Sequence, residues 1–148
     1  MLRFAVVVSR FNEEITSGLL SGAREYLTEK GISFSDADLF YAPGAFEIPL
    51  IAQKLALTKR YSGVIGLGCV IKGDTAHFEF ISLGATLGIM QSMLATETPI
   101  SFGVLTTYTD QQAYDRSRKD SHNKGREAAA ACLETAVLLA EIAEKSDG

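Results

Sequence analysis

The chain has 148 residues, 47% of them hydrophobic and 22% charged, enough for one domain (1–148) around one sizeable core. Its net charge of −4 and pI near 5.2 argue against nucleic-acid binding, so any bound anion needs locally placed positive charge. The two cysteines, Cys69 and Cys132, are too few for a disulfide framework or a zinc site. Both stand in apolar or alanine-rich runs, as buried thiols of a reducing compartment do. No apolar run reaches membrane-spanning length, and the start, Met1 to Val8, lacks a signal-peptide cleavage site. These features lead us to expect a cytoplasmic chain with no membrane or nucleic-acid partner.

Strand and helix signals alternate along the chain. Phe4–Ser9 is a short apolar, β-branched run of the kind that forms a buried parallel strand. Ile15, Leu19, Ala23, Tyr26 and Leu27 recur at helical spacing, and Gly31 follows as a stop. Asp38–Tyr41 reads as a weak strand, and Pro43-Gly44 as a turn. Glu47–Leu57 reads as a helix that tolerates Pro49 in its first turn. Val64–Ile71 is a second strong strand, followed by a helix from about Thr75 to Thr96. Ile100–Thr106 is the last strand, a short polar helix starts near Thr109, and a final helix runs from about Asn123 to Lys145. Alternating βα units predict a four-stranded parallel sheet covered on both faces, a flavodoxin-like α/β three-layer sandwich. The run Ala128–Ala131, with Ala136 and Ala140, gives the last helix a small-sided face for close packing on the sheet or on another subunit.

Ligands of open α/β sheets collect at the carboxyl ends of the strands. Four conspicuous segments fall there: Arg10-Phe11-Asn12, Pro43 to Glu47, Lys72 to His77, and Thr106-Thr107-Tyr108. Gly68 to Thr75 nearly matches a phosphate-binding P-loop, but Asp74 stands where the lysine belongs and would repel nucleotide phosphates. Gly73 and Thr75 at a helix start still suit an anion, although a glycine there can simply punctuate the fold. His77 in the first turn lies where the helix dipole disfavours the imidazolium, so it is either a proton shuttle or a solvated cap. His122 reads as a solvated surface residue in a basic loop. Arg116 and Lys124 are phosphate partners or ordinary surface charge. Phe11, Phe46 and Phe102 stack on a planar ring or pack in the core. No nucleophile elbow is present, and Cys69 has no obvious base beside it.

Five ordered motifs spread over nearly the whole chain resemble lumazine synthases. They are Phe11-Asn12, Pro43 to Pro49, Gly68 to Phe80, Phe102 to Thr107, and Asn123 to Ala129. The resemblance implies condensation of 5-amino-6-ribitylaminouracil with 3,4-dihydroxy-2-butanone 4-phosphate to 6,7-dimethyl-8-ribityllumazine. Phosphate is released, and no cofactor or metal is required. It implies that Phe11 stacks on the pyrimidine and that Ala45, Phe46 and Glu47 line the ribityl and pyrimidine pocket. Backbone groups of Cys69, Val70 and Ile71 would hold the pyrimidine edge. Asp74, Thr75 and Arg116 would take the phosphate, with Lys124 a weaker candidate, and His77 would transfer protons. Phe102 would come from a neighbouring subunit, since sites in this family lie at subunit interfaces. The expected assembly is a homopentamer in preference to a sixty-subunit shell. The bulky Arg118 and His122, and the lack of a strand ahead of Leu2, favour the smaller state. Tyr108 replaces a residue that is often acidic or polar in relatives. A non-catalytic flavin or lumazine binder and an assembly scaffold are the alternatives to an enzyme.

Overall fold

A computed structural model describes residues 1–147. Four strands, β1 (Phe4–Ser9), β2 (Leu39–Ala42), β3 (Gly63–Ile71) and β4 (Ile100–Thr107), form one all-parallel sheet in the order β2-β1-β3-β4. The helices are α1 (Glu13–Glu29), α2 (Ile48–Leu57), α3 (His77–Thr96), α4 (Asp110–Asp115) and α5 (Lys124–Asp147). This is the expected flavodoxin-like sandwich. Two-residue alternation along β1 divides the core. Phe4, Val6 and Val8 face the α1/α5 layer, while Ala5 and Val7 face the α2/α3 layer. Leu19, Leu27, Ile48, Ile65 and Leu67 are fully buried, and each is worth roughly 1.5–3 kcal/mol in apolar area removed from water.

The element ends differ from the sequence reading for local reasons. Strand β2 begins at Leu39 because Asp38 closes a 3₁₀ turn, where its buried carboxylate accepts from Arg3 Nη2 at 2.7 Å and from the Tyr61 hydroxyl at 3.0 Å. Helix α2 starts at Ile48, after a 3₁₀ turn over Ala45–Glu47. Helix α3 starts at His77 rather than Thr75, and the Thr75 hydroxyl oxygen accepts the His77 N–H at 3.3 Å. Helix α4 starts where expected and is capped by Thr109, whose Oγ1 accepts from Gln112 N at 3.1 Å. Helix α5 is capped by Asn123, whose Oδ1 accepts the Arg126 N–H at 3.0 Å.

The small-sided face of α5 packs on the sheet. Ala128, Ala129, Cys132 and Ala136 are buried, and a Cβ placed on Gly103 of β4 would lie 2.9 Å from Ala128 Cβ. Helices α1 and α5 also approach closely, since a Cβ on Gly125 would collide with the Leu19 carbonyl oxygen. That contact and the Asn123 cap together fix the loop between α4 and α5. Helix α3 behaves differently. Ala85, Ile89 and Ser92 are buried on one side, while Phe80, Leu83, Leu87, Met90 and Leu94 are exposed on another. Those five alternate at three- and four-residue spacing, the seam of a coiled coil. Contrary to the sequence reading, α3 is long and apolar enough to pass a length-and-composition test for a membrane span. Its buried side packs on α2 and β4, as in a helix of a water-facing fold.

Candidate active site

The parallel sheet brings the ends of all four strands to one edge, where one cleft opens, and a second cleft runs along β4. The first is a cleft of about 460 Å³ at the ends of β1, β2 and β3. Phe11, Ala45, Phe46, Glu47, Cys69, Val70, Ile71, Thr75 and His77 all line it, together with Phe78 and Ile81. Phe11 is 69% exposed and Phe46 56%, so neither is a core residue and both offer ring faces to a ligand. The Phe46 ring lies across α3 at Gly84, where a Cβ would come within 2.7 Å of it. Gly73 has no positive φ, and a Cβ there would meet nothing within 4 Å. The chain's own geometry therefore does not require glycine, and the loop has open space beside it. Asp74 is exposed but does not line the cleft, although both its neighbours do.

Cys69 is buried at the cleft floor. Burial, reinforced by the charge of Asp110, pushes its thiol up to about 12. It is therefore a protonated wall and not a nucleophile, in agreement with the sequence reading. Its carbonyl oxygen accepts a hydrogen bond from Asn12 Nδ2 at 3.1 Å. Asn12, which the sequence reading named within two motifs but gave no role, is a positioning residue. It sits at φ 63°, ψ 49°, the left-handed region, and its backbone starts α1. Asparagine tolerates that conformation, and here its side chain ties the β1–α1 turn to the end of β3 instead of capping its own helix. Phe11 is thereby held out at the cleft mouth. An asparagine between a strand and a helix was the available signal, but it reads first as an ordinary N-cap.

No lysine or arginine lines this first cleft among the described residues, and Glu47 adds a carboxylate. The cations line a second cleft of about 520 Å³, at β4, α4, the α4–α5 loop and the start of α5. Phe102, 36% exposed, lies there with Arg116, Arg118, His122 and Lys124. Arg116 Nη1 donates to the Gln112 carbonyl at 3.0 Å, and its charge has no carboxylate partner within 4 Å among the described residues. The chain thus does not bring Phe102 or Arg116 to His77. His122, predicted as a plain surface residue, is exposed but lines the same cleft as Arg116. A larger groove of about 630 Å³ lies on the α1/α5 side. Its Arg126 is engaged with Glu29 at 2.6 and 3.0 Å, and none of the strand-end motifs borders it. No group of three or more possible metal ligands exists among the described residues.

Residues 1–140 match the family model described as 6,7-dimethyl-8-ribityllumazine synthase. The protein named 6,7-dimethyl-8-ribityllumazine synthase 1 from Caulobacter vibrioides is 62% identical over 144 residues, which cover 97% of this chain and 94% of that one. Similar enzymes from Lactiplantibacillus plantarum and Salinibacter ruber are 50% and 47% identical, covering 96% and 95% of this chain and 92% and 90% of their own lengths. With the family model matched over residues 1–140 and relatives of this identity covered over nearly their whole length, the chain belongs to the 6,7-dimethyl-8-ribityllumazine synthase family.

Proposed function

We propose that the condensation of this family runs in a composite site, built from the first cleft of one protomer and the second cleft of its neighbour. The single observation that carries this reading is the separation of Arg116 and Phe102 from the cleft that holds Phe11 and His77. A phosphate substrate needs a cation, and the first cleft lines itself with none. The exposed coiled-coil seam of α3 supports self-association, because a buried partner surface is the ordinary fate of such a stripe. The preferred assembly is a homopentamer, with a sixty-subunit shell as its larger form, in the cytoplasm.

In this site Phe11 stacks on the pyrimidine of 5-amino-6-ribitylaminouracil. Ala45, Phe46 and Glu47 contact the ring and ribityl chain, and the backbone of Cys69, Val70 and Ile71 reads the ring edge. The 5-amino group attacks the ketone of 3,4-dihydroxy-2-butanone 4-phosphate, and loss of water gives an imine. Proton removal from the sugar carbon chain lets phosphate depart with its electron pair. The enol left behind takes up a proton at its terminal carbon to become a methyl ketone, and the 6-ribitylamino nitrogen closes on that new carbonyl with loss of a second water. His77 moves the protons, Arg116 holds the departing phosphate, and Asp74 and Thr75 supply the loop around it. Phe102 closes the pyrimidine side from the neighbouring protomer, and the reaction calls for no cofactor or metal.

Mixing both substrates with the purified chain should give lumazine absorbance and fluorescence together with equimolar phosphate. Folded protein that produces neither above the uncatalysed rate refutes the reading.

A further inference from the structure

The chemistry assigned above leaves one strand-end residue without a part. Tyr108 follows β4, and its side chain is mostly exposed. Its ring nevertheless touches both flanks of the loop that joins β3 to α3. Lys72 Nζ, at the start of that loop, lies 5.7 Å from the ring centroid. The Phe78 ring, on the first turn of α3 and in the wall of the first cleft, lies 6.0 Å from it at a 47° tilt. Both separations fall in the range where a cation and a tilted ring are attracted to an aromatic. Lys72 has no carboxylate within 4 Å among the described residues, so the ring is the partner of its charge. The loop between the two contacts holds itself poorly. The N–H groups of Gly73, Asp74 and Thr75 make no hydrogen bond among the described residues, and all three residues are exposed. The Tyr108 side is fixed. The Tyr108 N–H donates to Gln112 Oε1 at 2.8 Å, the Thr107 hydroxyl donates to the Thr109 carbonyl at 3.1 Å, and the Lys72 N–H donates to the Thr107 carbonyl at 2.9 Å.

Resting on the reading that this loop surrounds the departing phosphate, we infer that Tyr108 is a positioning residue for it. The ring clasps Lys72 on one flank and Phe78 on the other, and the clasp holds the free N–H groups between them in the shape that receives the anion. A loop without internal hydrogen bonds samples several shapes, and a ligand that needs one of them binds in proportion to its population. A cation–ring contact and an aromatic pair each shift such an equilibrium by about two- to tenfold, so losing both weakens phosphate binding roughly three- to tenfold. The same contact with Phe78 ties the loop to the wall of the first cleft, so the phosphate loop and the pyrimidine pocket share one support.

The test is steady-state kinetics of the assembled protein, with inorganic phosphate as a competing inhibitor and a urea titration of each variant. Tyr108→Ala should raise both the KM for the butanone phosphate and the inhibition constant of phosphate about three- to tenfold, with the pyrimidine KM and the unfolding midpoint unchanged. Tyr108→Phe keeps the ring and should behave as wild type. Lys72→Gln should raise the two phosphate constants by a larger factor with the Tyr108 ring present than in the Tyr108→Ala background, since part of its effect runs through the ring. Should Tyr108→Ala not assemble, Tyr108→Leu keeps the apolar bulk without the ring and carries the same expectation. Phosphate constants that stay at wild-type values without the ring overturn the inference, as does a Lys72→Gln factor that is the same in both backgrounds. A matching rise in the pyrimidine KM with a lowered midpoint also overturns it, because the ring is then general packing. Arg116→Gln separates these failures from a failure of the phosphate reading. If it raises the phosphate constants while Tyr108→Ala does not, the phosphate site stands and the clasp has no part in it. If neither does, both readings fall.

Discussion

The cleft at the carboxyl ends of β1, β2 and β3 and the cleft along β4 differ in nearly every physical respect. The Phe11–His77 cleft is walled by aromatic and aliphatic side chains and a protonated thiol, and it has no lysine or arginine. The Phe102–Arg116 cleft has few apolar groups and seven charged or titratable ones. The first suits a planar ring with a polyol arm, and the second suits a phosphate. A reaction that joins a pyrimidine to a sugar phosphate needs both at once, and a single protomer keeps them on different walls. On the composite-site proposal, assembly is part of the active site and not an addition to it.

The largest expected effects come from removing the distinctive group of each cleft. His77→Ala should lower kcat by about 10²-fold while leaving the unfolding midpoint within experimental error, because it removes a proton-transfer group from an exposed position. Steady-state kinetics and a urea titration check both halves of that statement. Arg116→Gln should raise KM for the butanone phosphate roughly 10- to 100-fold, the value of charge-assisted hydrogen bonds to an anion, with little change in KM for the pyrimidine. An equal rise in both constants would blur the division between the clefts. Phe11→Ala should do the reverse, raising KM for the pyrimidine about tenfold through lost stacking and sparing the phosphate substrate.

A smaller effect is expected one step removed from the ligands. Asn12→Ala loses the bond to the Cys69 carbonyl and leaves a left-handed residue without its compensation, at a cost of about 1–2 kcal/mol in denaturant unfolding. The pyrimidine KM should rise with it, because the turn that presents Phe11 loosens. The smallest effect lies in the cysteines. Burial pushes both Cys69 and Cys132 up to about 12, so the folded thiols stay protonated while those of the unfolded chain ionise near the ordinary thiol value of 9. The unfolded state then binds fewer protons than the folded one above that pH. The contribution to stability is therefore fully present below pH 9 and is lost progressively as pH rises toward 12. Iodoacetamide at pH 8 should leave both thiols unmodified in the native protein, as mass spectrometry would report.

Much of this site was legible before any coordinates, and the parts that were not share a cause. Strands such as Phe4–Ser9 and Val64–Ile71 announce themselves because burial on both faces demands unbroken apolar runs. Once the sheet is parallel, the segments after its strands must gather at one edge, which places Phe11, Phe46, Cys69 and His77 together. The register of short polar turns is different. Asp38 leaves its strand for two partners distant in sequence, Arg3 and Tyr61, and no local periodicity encodes that pair. Asn12 reaches 57 residues along the chain to Cys69, so its role depends on the finished sheet. Likewise, His122 reads as a solvated loop residue until the Asn123 cap and the close α1/α5 packing fold its loop onto the wall that carries Arg116.

The claim that each working site joins two protomers is tested most directly by complementation between two inactive chains. His77→Ala and Arg116→Gln protein would be unfolded together, reassembled as a mixture and assayed against each variant reassembled alone. If His77 and Arg116 act across a protomer boundary, random mixing in equal amounts restores both residues in about one quarter of the sites, and activity rises well above either parent. If both residues serve a site within one chain, no mixture contains an intact site, and the activity stays at the average of the two parents.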